Sequence, residues 1–251
     1  MKKILLLGLF GLLSIMGAQA QLDFGARAGV GIATISDDLS TKSPIFGATV
    51  GGYMNINFTN SQSVAGQFVY LQTGLSLNRR GSNFHEVLEL ENTLSVREGF
   101  YHAYYLQMPI MVGFHMELPI RSSGHVVGVI AGPAVSVGLF GRCKDRLISP
   151  GNPSLIANYD YDVTGTKADR AVFNHLKRFD VSAVVGVTYE FGPWNAMLYL
   201  DHGFMATSTE PDILRIIQQS MGVDQGIKTD IPNGNNTAVM LSIGYSFGGT
   251  D

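Results

Sequence analysis

Residues 100–118 read FYHAYYLQMPIMVGFHMEL, and the alternation within them decides the fold class. One parity holds Phe100, His102, Tyr104, Leu106, Met108, Ile110, Val112, Phe114, Met116 and Leu118. The other holds Tyr101, Ala103, Tyr105, Gln107, Pro109, Met111, Gly113, His115 and Glu117. Successive side chains of a strand point to opposite faces, so a period of two makes one broad apolar face and one mixed, polar or small face. Soluble strands usually have about 5–6 residues, whereas a tilted strand needs about 9–11 to cross hydrocarbon. This run is long enough to cross a bilayer and project beyond it.

The same alternation recurs along the chain. Leu22, Phe24, Ala26, Ala28, Val30 and Ile32 oppose Asp23, Gly25, Arg27, Gly29 and Gly31. Further strands are predicted near 44–58, 63–78, 126–140, 178–191, 194–205 and 236–247. The cleanest sets Phe179, Val181, Val185, Val187, Tyr189 and Phe191 against Asp180, Ser182, Gly186, Thr188 and Glu190. With the opening run these make eight, an even number that returns both ends to one side. Connections alternate in length. Those at 36–43, 81–99, 141–177 and 206–235 are longer, and those at 59–62, 119–123 and Gly192-Pro193 are short. Outer-membrane barrels combine short periplasmic turns with long extracellular loops in this way. Within 81–99, the segment Val87 to Val96 has the pattern to extend the flanking strands beyond the membrane.

Residues 1–20 read as a secretory signal. Lys2 and Lys3 form the charged start, Ile4 to Met16 the apolar core, and Ala18-Gln19-Ala20 the cleavage site, so the barrel domain is expected over 21–251. A retained anchor is disfavoured because the core is too short to span. No cysteine follows the cleavage site to carry a lipid. Cys143 is the only cysteine, which excludes an internal disulfide and a cysteine zinc cluster. The near-neutral balance, 17 basic against 20 acidic residues, argues against a nucleic-acid partner. No apolar run of helix-spanning length remains, so a membrane form must be a closed barrel, the other structure that satisfies every backbone group in lipid.

Alternation alone fits a soluble barrel with an apolar interior equally well. The charges separate the two. Nearly all Lys and Arg, including Arg79, Arg80 and Arg97, fall in loops, turns or strand ends, while the polar strand faces are Gly, Ser, Thr and Asn with a few charges. Phe58, Phe114, Phe191, Trp194, Tyr245 and Phe247 gather at the turn end, and Phe46, Phe100, Tyr104, Phe179 and Phe204 at the loop end. Two such belts mark two membrane interfaces. The expectation is an all-β fold, an eight-stranded antiparallel transmembrane up-and-down β-barrel in the cell outer membrane.

The segments YLQMPIMVGF (105–114), GVIAGPAVSVGLFG (128–141) and LSIGYSF (241–247) together resemble the PorT-like outer-membrane β-barrel domain of Bacteroidetes. The resemblance covers the whole mature chain and implies architecture more than activity. PorT itself belongs to an apparatus that exports proteins across the outer membrane. The closing Phe247 resembles the signal read by the barrel-insertion machinery, although the chain continues through Gly248 to Asp251.

A polar lumen network is expected from Arg27, His115, Glu117, Asp180, Glu190 and Asp201, with Arg27 meeting a carboxylate. No catalytic, metal or cofactor residues are assigned. His102 lies on the lipid-facing parity near the loop end, within reach of an acyl chain, but lacks a recognisable Ser and carboxylate, so an ordinary interfacial histidine is preferred. Asp160 and Asp162 lack the rest of a calcium loop. Arg142, Lys144, Arg146, Lys167, Arg170, Lys177 and Arg178 could meet lipopolysaccharide phosphates, against a solvated loop balanced by Asp145, Asp160, Asp162 and Asp169. Thr209 to Gly222 reads as a capped amphipathic helix, with Ile213, Leu214, Ile217 and Met221 on one face. Pro109 and Pro133 sit level on neighbouring strands, where a β-bulge or kink is expected. The function expected is structural or assembly-related in the envelope, with no enzyme activity. A narrow passive pore and a lipid-modifying enzyme are the alternatives. Outer-membrane lipid, lipopolysaccharide, the insertion machinery and an envelope protein are the expected partners.

Overall fold

The computed structural model describes residues 21–36, 41–58, 67–90, 93–118, 124–148, 157–162, 178–206 and 234–247. The expected signal segment, the helix expected over 209–222 and Lys167, Arg170 and Lys177 lie outside these residues. Nine strands follow in order: β1 (Gln21–Ser36), β2 (Thr41–Asn57), β3 (Gln67–Leu90), β4 (Thr93–Glu117), β5 (His125–Ile148), β6 (Ala157–Asp162), β7 (Phe179–Phe191), β8 (Trp194–Ala206) and β9 (Asn235–Ser246). All pairings are antiparallel, and β1 pairs with both β2 and β9, so β1–β5 and β7–β9 close an eight-stranded barrel. The short β6 lies outside this ring and pairs with the far end of β5. Among the described residues no helix is long and apolar enough to cross a membrane.

Period-two sequence becomes a two-faced wall. Val30, Ile32, Val50, Val129, Val185, Val187, Leu241 and Ile243 stand exposed on the outside, while their neighbours Thr49, Ile130, Val184, Thr188 and Ser242 are buried inside. Such an inverted surface is stable only against hydrocarbon. The aromatic belts are in place, with Phe58, Phe191, Trp194, Tyr245 and Phe247 exposed at one end and Phe46, Phe179 and Phe204 at the other. At the first end β7 and β8 join through Gly192-Pro193, where Phe191 pairs directly with Trp194. Gly192 has a φ of 56°, the positive value that a two-residue hairpin requires at its first position.

Three findings correct the strand reading. In residues 81–99 the strand extension expected over Val87 to Val96 is present, but pairing also runs unbroken through the flanking residues that were expected to be connection. β3 and β4 stay paired from Gln67↔Met116 out to Leu90↔Thr93, and β5 continues to Ile148. The 141–177 connection likewise carries strand at both its start and at β6, whose register sets Asp162 opposite Arg142, Asp160 opposite Lys144 and Asn158 opposite Arg146.

The third concerns the prolines. No bulge forms at their level, since Pro109↔Ala134 and Val112↔Ala131 share one register. Instead, pairs drop out. The β3–β4 ladder skips between Thr73↔Ile110 and Ser76↔Gln107, and the β4–β5 ladder skips the two pairs holding Pro133 and Gly132. Each gap comprises a proline and the residue before it, as expected where the missing N–H faces that neighbour. Thr73 Oγ1 donates to the Pro109 carbonyl at 2.9 Å across the first gap. Register shifts occur elsewhere, between Pro44/Ala48, Tyr104/Tyr105 and His202/Ala206, all towards the loop end.

Candidate functional site

The interior of the barrel is where polar chemistry collects. In the loop-side half, Arg80 is 3 % exposed and reaches across the lumen from β3. Its Nη1 lies 3.2 Å from Asp180 Oδ2 on β7, and its Nη2 donates to Asp201 Oδ2 on β8. Asn236 Nδ2 on β9 also donates to Asp180 Oδ2, at 3.2 Å. Gln107 on β4 continues the chain, donating through Nε2 to Asp201 Oδ2 at 2.9 Å and accepting from Asn78 Nδ2. Asn78 Oδ1 in turn accepts from Thr49 Oγ1 at 2.5 Å. Side chains of β2, β3, β4, β7, β8 and β9 are thereby tied in one network. In ring order β3 and β8 are opposite walls, so the Arg80–Asp201 pair lies along a diameter.

The close approach of Asp180 depends on glycine. A Cβ on Gly203 would lie 2.7 Å from Asp180 Oδ2. At the turn-side level, a Cβ on Gly113 would fall 2.0 Å from the Tyr70 ring, which lies flat over that strand.

Below this network an apolar layer fills part of the lumen. Tyr70, Met111, Ile130, Ala134, Val184 and Met197 form a buried cluster with Tyr199 against it. A second cluster, Ala33, Ile45, Ala238 and Met240, lies on the loop side, where Ala238 pairs with Asp201. Beside Met197, on the turn side, Arg27 donates to Gln72 Oε1 at 3.0 Å and to Asn195 Oδ1 at 3.4 Å, and its guanidinium stands 4.6 Å over the Tyr53 ring. Gln72 Nε2 passes the chain on to Asn55 Oδ1 at 2.7 Å. A cavity of about 50 Å³ remains beside Arg27, Gln72, Gln107 and Tyr199, room for a few water molecules, each needing at least about 10–15 Å³. Nearer the turns, the His115 ring packs 4.1 Å from that of Tyr70, and its Nε2 lies 3.4 Å from Glu190 Oε1 without hydrogen-bond geometry.

Of the six residues expected in a lumen network, Asp180 and Asp201 are brought together, and His115 approaches Glu190. Arg27 is inward but takes amide and sulfur partners, Gln72, Asn195 and the Met197 Sδ at 3.2 Å, in place of a carboxylate. Glu117 is exposed at the turn-side rim, the last residue of β4, and does not join the network. Arg80, the centre of the ionic cluster, is not among the expected lumen residues; it lies within β3 and not in a loop, turn or strand end. The parity of Gln72, Gly74, Ser76 and Asn78 carries straight on to Arg80, and that was the available signal.

Outside the wall, His102 Nδ1 lies 3.1 Å from Arg79 Nη2, and its ring stacks 4.6 Å from Phe100. Among the described residues no group of three or more His, Cys, Asp or Glu side chains could hold a metal ion. The arrangement fills and cross-links a lumen.

Two solved barrels are similar in fold. The attachment invasion locus protein Ail of Yersinia pestis, solved with the heparin analogue sucrose octasulfate, shares 11% identity over 90% of this chain and 99% of its own, at a TM-score of 0.34. The N-terminal β-barrel domain of Pseudomonas aeruginosa OprF shares 13% over 91% of this chain and 100% of its own, at 0.27. Comparison with curated proteins finds no match. The model of an outer membrane protein beta-barrel domain matches residues 18–208. With the closed barrel described above, this places the protein in the cell outer membrane. The chain belongs to the outer membrane protein beta-barrel domain family.

Proposed function

We propose that this outer-membrane barrel is a non-conducting, non-catalytic structural or assembly component of the envelope. The observation that carries the reading is the lumen, closed by the Arg80–Asp180–Asp201 cluster above a packed apolar layer of Met111, Ile130, Val184 and Met197. An eight-stranded barrel has an interior only wide enough for side chains to fill, which leaves little for a passive pore. The finer reading, a place in a protein secretion apparatus, rests on the resemblance of 105–114, 128–141 and 241–247 to the PorT-like domain.

The other expected partners follow from the same placement. Phe247 closes β9 as a terminal aromatic for the insertion machinery to read. Arg79 and His102 lie on the outer face of the loop-side half, where a guanidinium meets lipopolysaccharide phosphate. His102 Nδ1 faces the Arg79 guanidinium, where a catalytic base would need a carboxylate to orient it, and this speaks for the interfacial role over catalysis. Planar-bilayer recording of the purified barrel tests the reading. No discrete channels are expected, and stable unitary conductance would overturn it. Lipid A from a deletion strain should keep its mass spectrum, and affinity purification from native membranes should recover envelope proteins.

A further inference from the structure

Arg80 and Arg27 both enter the lumen, and among the described residues only Arg80 meets carboxylates, those of Asp180 and Asp201. Arg27 reaches two amide oxygens, the Met197 sulfur and the Tyr53 ring, and its Nε is buried without a hydrogen-bond partner. Glu190 lies against His115 nearer the turns. Beside Arg27 the lumen is hollow, and register explains why. Arg27, Gly51, Ser76 and Gln107 are successive partners across β1, β2, β3 and β4, all on the inward parity. Between the two long side chains stand only a glycine and a serine, with Gly74 at the next inward position of β3. Gly51 and Ser76 adjoin closely, since a Cβ on Gly51 would lie 2.8 Å from the Ser76 Cβ. This row of short residues floors the void of about 50 Å³, and Met111, Val184, Met197 and Tyr199 line its other sides.

We propose that this void is a binding site for a small monovalent anion, with chloride as the occupant, held between the Arg27 guanidinium and the Ser76 hydroxyl. A buried charge without a counter-charge is costly. Val50 and Leu75, the outward neighbours of Gly51 and Ser76, are exposed on the lipid face, so no water stands behind the wall at this level to solvate Arg27. The loop-side carboxylates are already engaged by Arg80, and the compensating charge has to come from the void. Its chemistry selects an anion. The guanidinium only donates, the serine hydroxyl can turn its proton inward, and Met111, Val184 and Met197 present no oxygen that would repel negative charge. A cation would meet the charge of Arg27, and water alone would leave that charge unbalanced. A halide is close to a water molecule in size, and the void has room for it.

Urea unfolding of the barrel refolded in vesicles would be compared in sodium chloride and in sodium gluconate, whose anion is too large for the void, at one ionic strength. With a single site, each tenfold rise in chloride above the dissociation constant should lower the unfolding equilibrium constant about tenfold. Arg27→Gln should abolish this dependence. Ser76→Val, which keeps the guanidinium but fills the void and removes the hydroxyl, should abolish it as well. Val50→Ala on the outer face should retain it, and heat-modifiable electrophoretic mobility confirms folding of each variant. A chloride dependence that persists in both lumen variants would be a general salt effect and would overturn the proposal. Equal midpoints of the wild-type barrel in the two salts would do the same, without any variant. Crystals of the wild-type barrel grown from sodium bromide give an independent reading. Anomalous scattering should place one ion within hydrogen-bond reach of Arg27, and a void holding only water would sink the assignment.

Discussion

Arg80 shows how much one buried charge can organise. Its side chain is 4 % exposed and faces Asp180 and Asp201 at 3 % and 4 %, so none of the three can turn to water. Removing one member of a buried ion cluster typically costs about 3–5 kcal/mol, because the remaining charges stay buried and unpaired. Arg80→Met should therefore lower the urea stability of the barrel refolded in vesicles by that order. Adding Asp180→Asn and Asp201→Asn should restore much of the loss, since the uncompensated carboxylates are then gone. A triple variant no more stable than Arg80→Met alone would mean that the guanidinium acts by packing over Tyr105, 5.5 Å away, and not through charge. Parity made Asp180 and Asp201 legible, because each alternates with apolar neighbours. Which partner they choose was not legible. Arg27 has the right parity, but it lies in the turn-side half of the lumen, and depth along the axis depends on the register of seven other strands. Glu117 likewise keeps the lumen parity to the last residue of β4, where the lumen has already opened to the rim.

Among the elements, β4 carries the instructive defect. Pro109 removes a donor towards β3, and the Thr73 hydroxyl occupies the space by donating to the Pro109 carbonyl. In hydrocarbon no water replaces a lost bond. Thr73→Val should thus cost about 1–3 kcal/mol, the penalty of a buried acceptor left unmade. In a Pro109→Ala background the restored ladder should shrink that cost. A double-mutant cycle on urea midpoints reads the coupling, and additive costs would show that the hydroxyl does not serve this gap. The sequence placed the prolines level and in the wall. It did not distinguish a bulge from an interrupted ladder, because both remove pairing, and only the constant register on either side of the gap separates them. On β7 the lipid-facing parity can be tested by depth. Val185, 53 % exposed at mid-wall, should lose about 2–4 kcal/mol as Val185→Arg, whereas Phe179→Arg at the loop-side belt should lose about 0–1 from its charge. Equal costs would count against a bilayer midplane at Val185.

The whole molecule is lopsided in height. With a rise of about 2.5 Å per residue along the axis, the 12 residues of β9 just span a hydrocarbon layer, while the 24 of β3 and 25 of β4 reach about twice as far. The excess stands on the loop side as β3, β4, β5 and β6, beyond the level at which β2 leaves β3 at Thr41↔His85. All eight barrel strands pair around the ring beneath that level, so the extension adds nothing to closure. Its tip is legible in the sequence, since Val87 to Val96 has the pattern to extend the strands, whereas the residues that join it to the wall are not. Above the membrane no lipid demands an apolar face, so Gly81 to Glu86 and Arg97 to Gly99 lack the alternation that marks the membrane strands, while backbone pairing runs on to Leu90↔Thr93. Excising residues 86–97 and joining His85 to Glu98, a directly opposed pair, through Asn-Gly should leave a folded barrel. Heat-modifiable mobility and urea midpoint should match those of the full chain, because the lumen network and both aromatic belts remain. A partner that docks on the outer extension would be lost from affinity purifications of the shortened barrel, and one that contacts the periplasmic turns would be kept. A shortened barrel that fails to fold would show that the extension nucleates the β3–β4 pair and is not an appendage of a finished wall.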